Sequence, residues 1–368
     1  MWIRYLAVAG MTIAACVATG LVPLGQERAG AADCSDPTRT FFVATTGSDA
    51  NPGSSAAPWR TLQFAFGRLD AGETLVVRGG TYRADLAYGR AGTMEAPILV
   101  TNAPGETPVL EGVTREPLRV NGSAGWTTFK GLTIQRAAAG SNYQNVFVSG
   151  AAHDVTFMGD TIRWALGGSG VFVDDTASRI NLVGNRVYEN NGANQHQGIY
   201  YEGKNGVIAG NVVYGHTNGF GIQVKSGASQ VVVAENTTVD NALSGIAVAN
   251  TATGVTVVNN ISAFNGGYGI RGLRDTLSET PPSATAFTNL LYGNEDGAYG
   301  NQAPGIISFG TQLPSADPQF AGRTSRNYRL LSTSPAIGKA DAAYVYSPDA
   351  DGLTRPVGAA ADVGAYER

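Results

Sequence analysis

A short phrase that begins with glycine and then alternates apolar with variable positions recurs between Gly170 and Leu273. Its copies are Gly170-Val-Phe-Val-Asp-Asp, Gly198-Ile-Tyr-Tyr-Glu-Gly, Gly221-Ile-Gln-Val-Lys-Ser, Gly245-Ile-Ala-Val-Ala-Asn and Gly269-Ile-Arg-Gly-Leu-Arg. Their first residues are 28, 23, 24 and 24 positions apart. A repeat of this length, without helix-forming runs, is typical of one coil of a parallel β-solenoid. Equivalent residues of successive coils therefore stack in columns, and the alignment predicts which side chains are neighbours.

Each coil divides into three short apolar segments, which predicts three strands per coil. In the clearest copy these strands are Gly221-Ile-Gln-Val, Val231-Val-Val-Ala and Thr237-Thr-Val-Asp. Fainter copies precede it at Pro117-Leu-Arg-Val-Asn and Asn145-Val-Phe-Val-Ser. The expected fold class is therefore all-β, a parallel β-helix.

Two columns of polar residues support this register. One contains Asn185, Asn211, Asn236 and Asn260, and the other contains Asn190, His216, Asn241 and Asn265. Stacked Asn side chains hydrogen-bond from coil to coil and suit tight turns. We therefore interpret both columns, including His216, as structural.

The N-terminal residues are typical of a secretory signal over residues 1–31. A single charge, Arg4, precedes an apolar stretch that reaches Leu24, and a small-residue cleavage site ends at Ala31. A lipid-attachment box ending at Cys16 is the minor alternative, disfavoured because the apolar run continues past that cysteine. The expectation is a secreted protein that has no membrane association after signal cleavage.

Composition divides the remaining chain into three segments. We expect an N-terminal strand and a short capping helix in residues 32–74, the β-helix in residues 75–315, and a C-terminal cap or appendage in residues 316–368. Cleavage after Ala31 leaves Cys34 as the only thiol, so no internal disulfide can form. The formal charge is −4 and no basic run occurs, which argues against a nucleic-acid partner. The expected state is a monomer.

Alternation along the repeated phrase sends its third and fifth residues outward. The third column is Arg119, Phe147, Phe172, Tyr200, Gln223, Ala247 and Arg271, and the fifth is Asn121, Ser149, Asp174, Glu202, Lys225, Ala249 and Leu273. Because neighbouring coils are about 4.8 Å apart, Glu202 is expected one strand spacing from both Asp174 and Lys225. The long turn of residues 189–197 brings His196 next to this cluster.

Motifs at both ends of the repeat carry a resemblance to a known family. They are Phe41-Phe-Val-Ala-Thr-Thr-Gly-Ser-Asp-Ala-Asn-Pro-Gly, Pro58-Trp-Arg-Thr-Leu-Gln, Asp317-Pro-Gln-Phe, Ser334-Pro-Ala-Ile and Asp362-Val-Gly-Ala-Tyr-Glu. With these motifs and its repeats, the chain resembles the right-handed parallel β-helix proteins of the pectate-lyase-like superfamily, whose secreted members include polysaccharide lyase family nine. The motifs are specific for the fold and only weakly specific for a reaction, because one fold hosts many functions.

The resemblance implies a groove on the sheet that carries the two outward columns, and β-elimination of a uronic-acid polysaccharide within it. That reaction removes a proton next to a carboxylate, whose charge a calcium ion or an Arg neutralises while a Lys or Arg takes the proton. On this reading Lys225 is the candidate base and Arg271 the carboxylate partner. The candidate calcium ligands are Asp174, Asp175 and Glu202, and the candidate substrate contacts are Tyr200, Tyr201, Gln223 and Arg274. The dense acidic calcium cluster that family nine implies is not found in the sequence.

The residues leave several alternatives open. His196 with Tyr200 or Tyr201 would form the acid/base pair of a lyase that needs no metal. Glu202 and Lys225 would also be compatible with a simple surface ion pair. Asp174 and Glu202, one coil apart, approach the roughly 5 Å separation of a retaining glycoside hydrolase pair. A non-catalytic carbohydrate-binding or surface-adhesion solenoid would need none of this chemistry.

Overall fold

The chain forms a right-handed parallel β-helix, which confirms the expected fold class. The computed structural model describes residues 39–136, 143–191, 196–274 and 282–368. The predicted signal sequence and both cysteines lie outside the described residues. Within them, the strands form three parallel sheets of 11, 9 and 9 members, here called A, B and C, which the chain visits in that order once per coil.

Sheet A consists of β1 (Thr40–Val43), β2 (Thr74–Val77), β5 (Ile98–Asn102), β8 (Gly125–Lys130), β11 (His153–Met158), β14 (Ser178–Val183), β17 (Val207–Ala209), β20 (Val232–Ala234), β23 (Val255–Val258), β26 (Ala284–Phe287) and β29 (Ile307–Phe309). Sheet B consists of β3 (Gly80–Arg83), β6 (Pro108–Gly112), β9 (Thr133–Arg136), β12 (Thr161–Arg163), β15 (Arg186–Tyr188), β18 (Val212–Tyr214), β21 (Thr237–Val239), β24 (Ile261–Ala263) and β27 (Leu290–Tyr292). Sheet C consists of β4 (Leu86–Tyr88), β7 (Leu118–Val120), β10 (Val146–Val148), β13 (Val171–Val173), β16 (Ile199–Tyr201), β19 (Ile222–Val224), β22 (Ile246–Ala249), β25 (Tyr268–Leu273) and β28 (Gly297–Asn301). An antiparallel pair, β30 (Phe320–Gly322) and β31 (Asn327–Leu330), follows.

The inward positions of the repeated phrase fill the core. Ile199, Ile222 and Ile246 pair in register on successive strands of sheet C, and all three side chains are fully buried. At the N-terminal end, the helix α1 (Leu62–Phe66) packs Leu62, Ala65 and Phe66 against this core. Because β1 already pairs with β2 in sheet A, the β-helix begins near residue 40 rather than at the repeat boundary near residue 75.

The first polar column is a continuous hydrogen-bonded ladder at the turns between sheets A and B. The Nδ2 atoms of Asn185, Asn211 and Asn236 donate to the Oδ1 of the next ladder residue at 2.9, 2.9 and 3.0 Å. Each of these Oδ1 atoms also accepts the main-chain N–H of the preceding ladder residue. The side chains thus satisfy polar main-chain groups that the turns bury. The left-handed residue of the turn is the one before each Asn, and it is glycine at Gly184 and Gly210.

The second polar column follows the same pattern at the turns between sheets B and C, and it includes His216. The Nδ1 of this fully buried ring lies 3.2 Å from the main-chain N of Asn190, and the main-chain N of His216 donates to Asn241 at 3.4 Å. Burial lowers the pKa of His216 to about 4. The neutral imidazole therefore takes the acceptor role of an Asn, as the structural interpretation predicted.

Asp160 occupies the ladder position that precedes Asn185 and is 1 % exposed. Its Oδ1 accepts the main-chain N–H of Leu132 at 2.8 Å, whereas its buried Oδ2 has no hydrogen-bond partner among the described residues. Burial raises the pKa of this carboxyl well above its ordinary value. A protonated Asp160 resembles Asn in shape and restores a donor to the ladder.

The C-terminal segment packs along the side of the β-helix, over sheet B. Tyr328 of β31 lies 5.1 Å from the ring of Tyr214, and Ala365 donates its main-chain N–H to Thr237 at 2.9 Å. The segment is anchored by Arg355, whose buried Nη1 lies 3.4 Å from Glu235 of the β-helix and 3.2 Å from Glu367. Burial raises the pKa of Glu235 to about 7, against the opposing effect of Arg355. The C-terminal segment therefore lies as an appendage on one flank of the β-helix.

We expect Ile222→Asp to destabilise the protein by about 3 kcal/mol or more, because it places an unpaired charge inside the stacked core. Urea unfolding of the variant measures this. The exposed Lys204→Asp change is the control and should alter stability little. Unchanged stability of Ile222→Asp would contradict the inward assignment.

Asp160→Asn should stabilise the protein at neutral and alkaline pH by about 1–3 kcal/mol, the range for a buried unsatisfied polar group. The raised pKa of Asp160 makes its contribution fully present below its ordinary pKa, and this contribution is lost as the pH rises through the folded-state value. The gain from Asn should therefore be small near pH 4 and grow with pH. Thermal unfolding of Asp160→Asn from pH 4 to alkaline pH measures this gain in stability, with the exposed Asp296→Asn as control. A stability gain that does not depend on pH would contradict the ladder role of Asp160.

Candidate functional site

The outer face of sheet C carries the two outward columns in the predicted register. Phe147, Phe172 and Tyr200 pair directly on β10, β13 and β16, and Tyr200 pairs with Gln223 of β19. The column continues through Ala247 to Arg271. Alongside it, Glu202 donates its main-chain N–H to Val173 at 2.8 Å and Lys225 donates to Tyr201 at 2.9 Å. The predicted neighbours are therefore neighbours in space.

Three aromatic rings of the third column stack face to face. The ring centroids of Phe147 and Phe172 are 5.2 Å apart, and those of Phe172 and Tyr200 are 4.8 Å apart, with interplanar angles of 22° and 16°. The guanidinium of Arg119 lies 4.8 Å from the Phe147 ring at one end of the stack. Because neighbouring rings cover one another's faces, the stack presents its edges to solvent. It does not offer the free ring faces on which sugars stack.

Tyr200, Glu202 and Lys225 form a cluster where the stack ends. The Tyr200 hydroxyl donates to the Glu202 carboxylate at 2.7 Å, and the Lys225 Nζ lies 5.9 Å from the Tyr200 ring centroid. Burial, and then the Glu202 carboxylate, raise the pKa of the Tyr200 hydroxyl above its ordinary range. The simple Glu202–Lys225 ion pair is not formed within 4.0 Å among the described residues. Glu202 is engaged by the phenol instead.

Arg271 lies on the same face, two strands beyond Lys225. Its guanidinium is half-buried and lies 5.5 Å from the ring of Tyr268. Between the two cations β22 contributes only the small side chains of Ala247 and Ala249. Two strand spacings amount to about 10 Å, a gap that long Lys and Arg side chains can bridge toward one ligand. The exposed Arg274 follows at the end of the strand.

Tyr201 was wrongly expected to contact substrate. Its side chain points into the core, is fully buried, and donates its hydroxyl hydrogen bond to the main-chain carbonyl of Ile180 at 2.9 Å. Gln223 does face outward but is only 5 % exposed. A substrate would therefore meet Tyr200 and Lys225 before it met Gln223.

His196 reaches the edge of this face but does not pair with the tyrosines. The hydroxyls of Tyr200 and Tyr201 bond to Glu202 and to Ile180, and the buried His196 Nε2 has no partner in the described ranges. Burial lowers the pKa of His196. The imidazole is therefore neutral near pH 7, and the proposed His–Tyr hydrogen bond is not formed.

The candidate calcium ligands do not converge into a metal site. Asp174 Oδ1 accepts from both the main-chain N and the hydroxyl of Thr176, at 3.1 and 2.5 Å, and so closes a turn. Glu202 bonds to Tyr200, and Asp175 is exposed. No group of three or more His, Cys, Asp or Glu residues able to hold a metal occurs in the part of the chain that the structure describes. Calcium takes six to eight oxygen ligands, and these three residues do not fit that requirement.

A separate cleft lies between sheet B and the appendage, away from the candidate site. It encloses about 370 Å³ and is lined by Tyr214, Gly215, Asp240, Arg323, Thr324, Arg326 and Tyr328. Its two arginines are paired, Arg323 with Asp240 and Arg326 with Glu189. Both ion pairs join the appendage to the β-helix, so we interpret this cleft as part of that attachment.

The comparisons with known proteins agree with the fold. The sequence model of the family described as "Pel9A-like, right handed beta helix region" matches residues 41–211. The uncharacterized protein YwoF of Bacillus subtilis is 30% identical over 132 residues, which is 33% of this chain and 28% of that protein. Pectate lyase PEL9 of Emericella nidulans is 33% identical over 74 residues, 20% of this chain and 18% of that protein. The chain thus spans less than a third of either curated relative.

Solved structures extend the likeness to nearly the whole chain. The crystal structure of pectate lyase Pel9A matches 90% of this chain and 96% of its own at a TM-score of 0.65 and 17% identity. The periplasmic alginate epimerase AlgG matches 68% of this chain and 61% of its own at a TM-score of 0.53 and 11% identity. Enzymes with different reactions therefore share this architecture. The chain thus has the right-handed parallel β-helix fold of these solved structures, and its residues 41–211 match the Pel9A-like model.

Proposed function

We propose that this protein is a secreted polysaccharide lyase that cleaves a uronic-acid-containing polysaccharide by β-elimination on the outer face of sheet C. The observation that carries the proposal is the hydrogen bond from Tyr200 to Glu202. It occupies the carboxylate nearest in register to Lys225 and leaves that lysine without an ion pair among the described residues. A carboxylate bonded to Lys225 would instead favour the protonated amine and oppose a base role.

In the proposed mechanism, Lys225 removes the proton on the carbon next to the substrate carboxylate. Arg271 binds that carboxylate through its guanidinium fork, which stabilises the negative charge that develops on the carboxylate as the proton leaves. The electron pair then forms a double bond and expels the glycosidic oxygen of the neighbouring sugar, which takes up a proton from solvent and leaves as a hydroxyl group. Between the two cations lie the small side chains of Ala247 and Ala249 of β22, both of which are buried.

Tyr200 positions the Glu202 carboxylate in this scheme. Its hydroxyl binds Glu202 and so holds that carboxylate away from Lys225, while stacking on Phe172 fixes the Tyr200 ring against the strand. The raised pKa of Tyr200 keeps the phenol protonated at neutral pH, so it remains a hydrogen-bond donor throughout turnover. No step of the mechanism passes through calcium, because the described carboxylates do not form a calcium site.

Two other functions use different residues. A retaining hydrolase needs Asp174 and Glu202 free, whereas both accept hydrogen bonds from neighbouring side chains. A non-catalytic carbohydrate-binding protein needs no base and tolerates loss of Lys225. The unsaturated product of a lyase absorbs ultraviolet light, which neither alternative produces.

Lys225→Ala should lower kcat by about 10²- to 10⁴-fold, the usual contribution of a general base, with little loss of stability because the side chain points outward. Product absorbance is measured on a panel of uronic-acid polymers, with and without a chelator. Lys204→Ala is the matched control, because Lys204 is an exposed lysine that precedes β17 of sheet A and lies outside the candidate site on sheet C.

Glu202→Gln separates the remaining roles. It keeps a group that can accept from Tyr200 and removes the charge beside Lys225, so a lyase should retain most of its activity. Complete loss of activity would instead favour a carboxylate nucleophile, and full activity of Lys225→Ala would refute the site.

A further inference from the structure

The turns between sheets B and C contain a buried arginine that the proposed mechanism does not use. Arg136 is the last residue of β9 and is 3 % exposed. Its Nη1 donates to the main-chain carbonyl of Arg115. Its buried Nε has no hydrogen-bond partner within the described ranges.

The charge of Arg136 is also unpaired in the described part of the chain. The two buried glutamates of the neighbouring turns are committed elsewhere: Glu111 to Arg83 and Glu116 to Arg119, both at 3.0 Å. Residues 137–142, which follow, are Ala, Ala, Ala, Gly, Ser and Asn and contribute no acidic side chain. A buried charge without a partner is unfavourable, so an anion supplied from outside the chain would be strongly favoured here.

A second guanidinium lies beside the same aromatic ring as the first. The guanidinium carbon of Arg136 lies 5.3 Å from the Tyr143 ring centroid, and that of Arg115 lies 5.8 Å from it. Each cation is attracted to the ring, although the two cations repel each other. Arg115 is exposed, whereas Arg136 is 3 % exposed, so a ligand would approach from the side of Arg115. A guanidinium fork matches the geometry of a carboxylate.

We propose that Arg136 and Arg115, oriented by Tyr143, bind a carboxylate of the polysaccharide at a subsite remote from the bond that is cleaved. The identity of the polymer as a uronic-acid polysaccharide rests on the proposed function. The turns of Arg115 and Tyr143 lead into β7 and β10, which lie four and three strands from β19 and Lys225. This separation along the groove is about 14–19 Å, which spans several sugar rings. The subsite therefore sets affinity for long substrates and does not take part in bond cleavage.

The test measures binding by calorimetry in the Lys225→Ala background, where turnover is blocked. The ligands are a trisaccharide and an octasaccharide of galacturonate, and the same pair from alginate. Arg136→Met and Arg115→Gln should each weaken binding of the octasaccharide by about 10- to 100-fold, the effect of losing a charge-assisted hydrogen bond. Binding of the trisaccharide at Arg271 should not change, because this ligand is too short to reach the subsite. Arg60→Gln, an exposed arginine near the N-terminal helix, makes the same charge change as a control.

Several outcomes would overturn the subsite. Unchanged octasaccharide binding in both variants, or equal weakening of both ligand lengths, would show that Arg136 acts only on the fold. If Arg136→Met does not fold by circular dichroism, Arg136→Lys and Arg115→Gln carry the same comparison. Length-dependent binding that both arginine variants weaken, without turnover in the wild type, would uphold the subsite and refute the lyase. Turnover by the wild type together with unaltered octasaccharide binding in the arginine variants would refute the subsite alone. A wild type that binds none of the four ligands would refute it outright.

Discussion

The hydrogen-bonded ladders at the turns are the constraint on which the rest of the molecule depends. A turn at the corner of a β-helix buries main-chain N–H and C=O groups that no strand pairs, and these groups need partners. Asn236, for example, accepts the main-chain N–H of Asn211 and donates to the carbonyl of Ile208 and to Asn260. Such a residue satisfies its neighbours only when successive coils align without slippage. The ladders therefore fix the register of all three sheets.

Register in turn decides what the surface can present. On sheet C it stacks three aromatic rings so closely that they bind one another rather than a sugar. Where the rings end, Tyr200 takes up the Glu202 carboxylate, and the alanines of β22 separate the cations of Lys225 and Arg271. A face that is mostly structural thus contains a short stretch whose charges remain available for a ligand.

The appendage restricts the useful surface further. Arg355 holds it against Glu235 and Glu367 on the flank formed by sheet B and its preceding turns. The burial of this ion-paired group is costly unless its hydrogen bonds are made. The main-chain carbonyls of Asp362 and Gly364 accept from Nη1 and Nη2, whereas the buried Nε has no partner among the described residues. Attachment on this flank is compatible with a ligand groove on sheet C and the turns that precede it.

The sequence by itself determined the coil, the inward stack and both ladders, because each rests on a periodicity that repeats every 23 to 28 residues. It also placed Tyr200, Glu202, Lys225 and Arg271 on one face. Only the tertiary structure decided that Glu202 bonds to Tyr200, that Tyr201 bonds to Ile180, and that the Nε of Arg136 has no hydrogen-bond partner among the described residues. Side-chain partners depend on distances across coils, and Arg355 meets Glu235 from 120 residues away. A repeat determines the position of the Cα atom of a side chain. Which group that side chain contacts depends on packing between segments that are distant in the sequence.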